Sequence, residues 1–285
     1  MAETLHLESP AKVNLRLDIL KKREDGYHEL RTILQEISLH DLIHFSLKKE
    51  RGISITTDHP GLPVGKRNLV YRALQSFLKK SDYKGGVFVK IRKRIPLGAG
   101  LGGGSSNAAT ALKAMNQLLN ARLSKKELMS MGLEIGADVP FFFFEGAAIA
   151  SGIGEKLRRI KLPELRYVLI YPNFEVSTRW AYQNFLLTKG KFEFNLHKLW
   201  RTPQGISRLL WNDLEEVVGR KYPEIDVMKR MLYDAGALGA SMTGSGPTVF
   251  GIFSEKGGAS EAYKKIKKMV REKGWIVINA QSISA

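Results

Sequence analysis

A glycine-rich segment at residues 96–109, PLGAGLGGGSSNAA, is the part of the chain whose composition points most directly to chemistry. It follows an alternating stretch typical of a strand and precedes a stretch with helical spacing. Glycine lets the backbone approach a ligand closely, and N–H groups at a helix N-terminus favour an anion. A flexible turn with a serine cap is the alternative. We predict a phosphate-binding loop made of Pro96, Leu97, Gly98, Ala99, Gly100, Leu101, Gly102, Gly103, Gly104, Ser105 and Ser106.

The flanking sequence excludes the best-known phosphate loops. Gly98, Gly100 and Gly103 match G-x-G-x-x-G, but no acidic residue ends a second strand about 20 positions on, as a dinucleotide-binding fold requires. The lysine, HRD and DFG signatures of protein kinases are missing, and Gly65-Lys66 is followed by Arg67 rather than Ser or Thr. Ser105 and Ser106 would be placed to bind phosphate oxygens or a bound Mg²⁺. The predicted phosphate loop is therefore of another kind.

A second glycine-rich segment at residues 236–253 places TGSG directly before an apolar strand. Thr243, Ser245 and the neighbouring backbone amides are candidates for a second anion site. A plain glycine turn between two strands explains the same pattern equally well.

The first strand, predicted at residues 9–20, alternates strictly. Its apolar row faces a core, and its polar row carries Lys12 and Asn14 on one face, since side chains two residues apart point the same way. Both can therefore address one ligand. A solvated strand lysine is the alternative for Lys12.

The remaining pattern indicates an α+β protein. We predict strands at 87–95, 166–172, 248–253 and 275–279, and helices near 108–119, 225–235 and 263–270. A further helix begins at Lys125 and ends near Gly132 or Gly136. Ser124 and Glu127 form a capping-box pattern, and the run at 141–144, FFFF, is expected to be buried. We place the boundary between two domains at residues 158 and 159.

Composition restricts the class of protein. The 285 residues contain no cysteine, which excludes disulfides and thiolate metal sites, and no apolar run of membrane-spanning length. The N-terminus lacks a signal-peptide pattern, so we expect a cytoplasmic protein without a membrane partner. The net charge of +17 fits a solvated basic surface or a polyanionic partner. The basic clusters lack interleaved aromatics, so we expect no nucleic-acid partner.

Three segments together resemble the motifs of the GHMP kinase family, in the family's order: SPAKVNL at 9–15, the glycine-rich segment at 96–109, and SMTGSGPTVFGIF at 241–253. The resemblance implies a two-domain fold, with an N-terminal domain of the ribosomal S5 domain 2 type and a ferredoxin-like C-terminal domain. It implies an ATP-dependent small-molecule kinase that uses Mg²⁺. Within the family, AKVNLRLDILKKREDGYHEL and GADVPFF are similar to members that phosphorylate a hydroxyl of a cytidine diphosphate-linked polyol in isoprenoid precursor synthesis.

The resemblance also assigns roles to residues. Lys12 and Asp138, the aspartate of GADVP, match the family's catalytic pair, in which the aspartate accepts the hydroxyl proton and the lysine balances charge. A helix N-cap ahead of Pro140 is the alternative for Asp138. Asn68 resembles the adenine-pocket segment, although it would also cap a helix.

Tyr27 and His28 resemble the family's cytidine-binding pair, with Asn14 as a further substrate contact. Tyr182 matches a second aromatic of the substrate site, and Trp180 competes for that assignment because Ser177 and Arg179 stand where the family tends to have prolines. No metal ligand is identified. We expect a monomer or homodimer. The rival functions are a sister kinase acting on homoserine, mevalonate or a sugar, and a nucleic-acid-binding protein.

Overall fold

The computed structural model describes residues 4–187, 201–254 and 256–284, and it confirms the predicted α+β class. The chain forms two compact units. The first consists of the residues as far as Ala11, Leu39–Leu97 and Gly102–Phe144, and the second of Lys12–Ser38, Gly98–Leu101 and the chain from Glu145 onward. Two long strands, β1 (Thr4–Lys22) and β2 (His28–Lys48), contribute residues to both units. No helix among the described residues is long and apolar enough to cross a membrane.

The first unit pairs strands with a layer of helices. The second half of β2 pairs antiparallel with β4, which pairs parallel with β3. Helix α1 packs on α2, and α3 and a short 3₁₀ helix pack on α2 as well. The elements are β3 (Gly52–Thr57), α1 (Leu69–Lys80), β4 (Gly86–Arg92), α2 (Gly103–Leu118), α3 (Lys125–Ile135) and the 3₁₀ helix (Val139–Phe143).

Of two predictions about the first unit, the capping box is confirmed and the burial of the FFFF run is confirmed except at its last residue. The Ser124 side chain accepts a hydrogen bond from the Glu127 N–H while the Glu127 carboxylate accepts one from the Ser124 N–H, which is the capping box that starts α3. The FFFF run is buried at Phe141, Phe142 and Phe143. Phe144, which follows the 3₁₀ helix, is only half-buried, so the expectation that the whole run is buried was wrong at its last residue.

The strand before the glycine-rich segment is shorter than predicted. β4 ends at Arg92 instead of Ile95. Beyond Arg92, the buried carboxylate of Asp41 accepts the backbone hydrogen bonds that a neighbouring strand would otherwise accept. Its Oδ1 accepts from the N–H groups of Arg94 and Ile95 at 2.7 and 2.8 Å, and its Oδ2 accepts from the Lys93 ammonium at 2.6 Å. A carboxylate that satisfies these donors replaces a neighbouring strand.

The second unit contains two sheets. In one, the C-terminal part of β1 and the N-terminal part of β2 pair with β5, β6 and β8, in the order β6-β5-β2-β1-β8. The other is antiparallel in the order β11-β7-β10-β9 and fits the expected ferredoxin-like domain. Its strands are β5 (Ala147–Gly152), β6 (Lys156–Ile160), β7 (Arg166–Tyr171), β8 (Trp211–Asn212), β9 (Gly239–Met242), β10 (Val249–Phe253) and β11 (Ile276–Gln281).

The core of the second unit lies between its four-stranded antiparallel sheet and the helices. Buried side chains of β7 and β10 meet those of two helices, including Met228, Leu232 and Ile266. The helices are α4 (Thr178–Asn184), α5 (Pro203–Ser207), α6 (Glu215–Lys221), α7 (Glu224–Asp234) and α8 (Lys256–Met269). Every strand and helix predicted for this half is present. The boundary at residues 158 and 159 stays a prediction.

The polar row of β1 departs from the expectation of a half-exposed strand. The apolar residues Val13, Leu15, Leu17 and Ile19 are buried as predicted, but Lys12, Asn14, Arg16 and Asp18 are buried too. Buried polar groups are normally hydrogen-bonded. Arg16 makes a bidentate ion pair with Asp18, at 2.7 and 2.8 Å. The alternative of a solvated Lys12 is therefore wrong.

Candidate active site

Lys12 is the charged side chain on the polar row of β1 that contacts the glycine-rich segment. It is 3% exposed, and its ammonium donates to Asn14 Oδ1 at 2.5 Å and to the carbonyl of Gly100 at 2.9 Å. The Lys12 N–H also donates to the carbonyl of Leu101 at 3.0 Å. A buried lysine held at fixed distance from a glycine-rich loop is a positioned cation, since burying an ammonium without such partners is costly.

Asn14 connects that lysine to the second glycine-rich segment. Its N–H donates to Thr243 Oγ1 at 3.0 Å, and its side-chain amide donates to Thr32 Oγ1 at 2.8 Å. Thr32 in turn donates to the Arg16 carbonyl at 2.6 Å. The strand alternation thus places Lys12 and Asn14 side by side as predicted, within one network of buried hydrogen bonds.

The hydroxyls of the TGSG segment have partners within the protein. Thr243 is fully buried and bonded to Asn14, and Ser245 Oγ lies 2.8 Å from Thr178 Oγ1. Both hydroxyls therefore help to hold the loop, as the turn interpretation requires, and a second anion site stays a prediction. Gly244 and Gly246 have positive φ, as that turn requires.

In the predicted phosphate loop, every second residue from Gly98 to Gly102 is a glycine with a left-handed backbone conformation. Gly98, Gly100 and Gly102 have φ of 59, 74 and 69°. At Gly100 a Cβ atom would lie 2.3 Å from the Thr243 carbonyl oxygen, so a side chain there is excluded twice, by conformation and by space.

Helix α2 begins at the end of this loop with no side-chain cap. Its N-cap is Gly102, which has no side chain to accept a hydrogen bond from the first turn. Uncapped N–H groups at a helix N-terminus are an anion site when a ligand supplies the acceptor. Ser106 is fully buried and its hydroxyl lies 2.8 Å from that of Ser9, so it holds the helix in place. Ser105 is half-buried and is the more accessible hydroxyl.

Asp138 lies directly before the 3₁₀ helix of the first unit and is half-buried. Its side chain makes no capping hydrogen bond to that helix. Asp138 thus occupies the N-cap position ahead of Pro140 that the alternative gave it, but that position does not use its carboxylate. Its catalytic role stays a prediction.

Asn68 is tied to local structure. Its Oδ1 accepts from the Val70 N–H at 2.8 Å and its Nδ2 donates to the Pro63 carbonyl at 2.6 Å, so it caps α1. Leu69 approaches the position that a Cβ of Gly104 would take, at 3.5 Å, within the first unit. Both ends of the Asn68 amide already have partners within the protein. Contact of Asn68 with adenine stays a prediction.

The two residues predicted to bind cytidine differ in exposure. Tyr27 is 61% exposed in the turn between β1 and β2, and its N–H donates to Asp25. His28 is half-buried, and its ring lies 5.2 Å from that of Tyr182, tilted by 36°. Burial, and then the charge of Lys22, lower the pKa of His28 below its ordinary value, so the neutral form of the ring predominates at pH 7.

Tyr182 and Trp180, the two candidates for the second aromatic of the substrate site, have different neighbours. Tyr182 is the ring beside His28, whereas Trp180 packs edge-on against Tyr222 and under the Lys221 ammonium. Ser177, which stands where a proline was expected, accepts from the Trp180 N–H and caps α4. The departure from the family pattern therefore starts the helix that carries both aromatics.

Comparison with protein-family models matches residues 68–146 to the GHMP kinases N terminal domain and residues 195–272 to the GHMP kinases C terminal domain. A relative from Geotalea daltonii is 43% identical over 99% of this chain and 100% of its own, and carries the name 4-diphosphocytidyl-2-C-methyl-D-erythritol kinase. The chain belongs to the GHMP kinase family. It is accordingly an ATP-dependent small-molecule kinase.

Solved structures of GHMP kinases agree with this assignment. A crystal structure of 4-(cytidine 5'-diphospho)-2C-methyl-D-erythritol kinase has a TM-score of 0.84 and 32% identity, and covers 99% of this chain and 100% of its own. Homoserine kinase from Cytophaga hutchinsonii has a TM-score of 0.75 at 23% identity, covering 100% and 96%, which shows the fold alone. The predicted two-domain GHMP kinase fold is confirmed.

Two residues of this GHMP kinase's polar network were not found from sequence. Thr32 and Asn212 are both buried and bonded to the network, but neither stands in a motif with a chemical signature. The burial of an isolated threonine or asparagine depends on which distant strands lie beside it. No pattern in the sequence signals that.

Proposed function

We propose that this kinase transfers the γ-phosphoryl group of ATP to a hydroxyl of 4-diphosphocytidyl-2-C-methyl-D-erythritol, in cytoplasmic isoprenoid precursor synthesis. The observation that carries the choice of acceptor is the ring pair of His28 and Tyr182, 5.2 Å apart. A neutral imidazole offers one N–H donor and one acceptor nitrogen, which suits the mixed donor and acceptor edge of cytosine. The aromatic face beside it suits stacking on a pyrimidine. The names of the full-length relatives support the same acceptor.

The residues present fit a triphosphate. The left-handed glycines and the uncapped first turn of α2 provide backbone N–H groups. At Gly103 a Cβ would lie 3.0 Å from the Ile95 side chain, so a larger residue would crowd the helix start. Within residues 4–187, 201–254 and 256–284 no group of three or more His, Asp or Glu side chains could hold a metal. Mg²⁺ arriving with ATP needs few protein ligands, because phosphate and water complete its coordination. Ser105 is the hydroxyl proposed to reach it.

The chain's own groups then have simple tasks, because phosphoryl transfer needs positioning and charge balance more than covalent chemistry. The acceptor hydroxyl loses its proton to the carboxylate of Asp138, and its oxygen forms the new bond to phosphorus while the bond to the leaving ADP oxygen breaks. Lys12 supplies positive charge that is held in place by Asn14 and Gly100. The glycines of the predicted phosphate loop keep side chains out of the space proposed for the ATP phosphates.

The test is ADP release from Mg–ATP with the cytidyl substrate, beside mevalonate, homoserine and galactose. We expect turnover with the cytidyl substrate alone, and loss of about 100-fold or more in Lys12→Met and Asp138→Asn, since each removes a group that acts in the transition state. Lys90→Met and Asp226→Asn, which change an exposed strand lysine and an exposed helix aspartate, are the matched controls. Turnover with another acceptor would contradict the roles given to Tyr27, His28 and Tyr182.

A further inference from the structure

Asn212 is a buried amide that the proposed chemistry does not use. It is 5% exposed, at the end of β8 in the second unit. Its Nδ2 donates to two carbonyl oxygens at once, those of Met242 and Gly244, both at 2.8 Å. Its Oδ1 accepts from the Leu214 N–H at 2.9 Å, and this bond determines which end of the amide faces the carbonyls.

The two carbonyls flank Thr243, and Thr243 contacts the lysine network. Thr243 Oγ1 accepts from the Asn14 N–H at 3.0 Å and lies 3.4 Å from the Gly100 carbonyl oxygen. The same carbonyl of Gly100 accepts from the Lys12 ammonium. The position of the Thr243 backbone therefore determines where two of the partners of Lys12 lie.

The next residue brings the loop against Lys12 directly. A Cβ built on Gly244 would lie 3.0 Å from the Gly100 carbonyl oxygen, 3.3 Å from Lys12 Nζ and 3.5 Å from Asn14 Oδ1. A backbone so close to an ammonium and its acceptor cannot move without moving them, because protein interiors are close-packed.

The segment after β8 holds this loop at further points. Glu215 accepts from the Met242 N–H at 2.6 Å and pairs with Lys229. Asp213 Oδ2 accepts from the Ile19 N–H at 2.6 Å, on the strand that carries Lys12 and Asn14. One short segment thus binds both the TGSG loop and β1.

From these contacts we infer that Asn212 is a positioning residue for phosphoryl transfer, which acts by holding the Met242–Gly244 backbone so that Thr243 and Gly244 set the position of the Lys12 ammonium. The inference rests on the proposed role of Lys12. In this inference, Asn212 contacts neither the substrate nor the nucleotide. A displacement of about 1 Å in a catalytic group can cost about 100-fold in rate.

The experiment compares Asn212→Asp with the wild-type kinase. The aspartate keeps the acceptor for Leu214 but replaces the two donated hydrogen bonds by a carboxylate facing two carbonyl oxygens. We expect kcat to fall about 10- to 100-fold while the KM for Mg–ATP changes less than about 2-fold. Asn116→Asp is the matched control, because the Asn116 amide also donates to and accepts from the backbone of one residue, Leu123, in the first unit. Its kcat should be unchanged.

A double-mutant cycle tests the route through Thr243. Thr243→Val removes the hydroxyl at nearly constant volume. If Asn212 acts through this residue, the double variant should lose no more kcat than the more severe single variant, since coupled residues are not additive. Multiplicative losses would overturn the inference, as would an Asn212→Asp enzyme with normal kcat and only a lower Tm. If Asn212→Asp does not fold, Asn212→Ser removes the amide without adding charge.

Hydrogen exchange separates this inference from the proposed acceptor. Asn212→Asp should speed amide exchange in a peptide covering residues 239–248 and leave β7 unchanged, whichever acceptor the wild-type enzyme uses. Wild-type enzyme that ignores the cytidyl substrate contradicts the proposed function, and the kinetic comparison then uses the acceptor that is turned over. Unchanged exchange in residues 239–248 contradicts the positioning role.

Discussion

Replacement of Gly100 by alanine separates backbone strain from steric exclusion in the phosphate loop. Gly100 has φ of 74°, and its new Cβ would meet the Thr243 carbonyl oxygen at 2.3 Å and that of Gly246 at 3.0 Å. The left-handed conformation costs a residue with a Cβ about 1–2 kcal/mol. The clash adds about 1–3 kcal/mol, because the atoms it meets belong to the backbone and cannot swing aside.

Gly236 provides the matched control. It follows α7 with φ of 92°, and a Cβ there would meet nothing within 4 Å. Gly236→Ala therefore pays the conformational cost alone, and at about 2 °C per kcal/mol for a chain of this length its Tm should fall about 2–4 °C. Gly100→Ala should lose about 4–10 °C.

The two variants should differ even more in activity. The Gly100 carbonyl accepts from the Lys12 ammonium, so displacing it by about 1 Å should lower kcat about 100-fold. Gly236→Ala should keep kcat. The assays are thermal unfolding followed by circular dichroism and steady-state ADP release. Equal Tm losses in the two variants, or normal kcat in Gly100→Ala, would refute the reasoning about close approach.

Three further predictions concern stability. Tyr167 is fully buried and its hydroxyl has no hydrogen-bond partner among the described residues, so Tyr167→Phe should raise the free energy of unfolding by about 1 kcal/mol in urea titration. Burial, then the charges of His6 and Lys90, lower the pKa of His44. Because the pKa of His44 is lower in the folded than in the unfolded chain, stability is lost as pH falls from 7 to 5. The Tm of His44→Asn should therefore fall less than that of the wild type over this pH range. Ser124→Ala removes the capping box and should cost about 1 kcal/mol in the same urea titration.

Matched changes show whether these effects have the stated causes. Tyr83→Phe removes a hydroxyl that donates to the Lys48 carbonyl at 2.9 Å, so it should destabilise where Tyr167→Phe stabilises. Ser130→Ala changes an exposed serine inside α3 and should be nearly neutral. A stability loss in Tyr167→Phe, or a pH dependence that is identical in His44→Asn and wild type, would contradict the assigned causes.

Local pattern was sufficient for much of the fold. Strict alternation predicted β1, and the Ser124–Glu127 pair predicted the start of α3, because both signals depend on residues within one turn or strand. The end of β4 was missed because Asp41, more than 50 positions away, determines it. Local patterns carry no information about such a partner.

The sequence by itself determined which residue types lie together on one strand face and where the backbone needs glycine. Lys12 and Asn14 share a face because the strand period is two, and the left-handed positions in the phosphate loop carry glycine because other residues are strained there. Only the tertiary structure decided that this polar row is buried, that Thr243 binds Asn14 and that Asn212 holds two carbonyls of the TGSG loop. The physical reason is that burial and hydrogen-bond partnership arise between distant segments, 229 positions apart for Asn14 and Thr243, and each isolated residue is equally compatible with solvent.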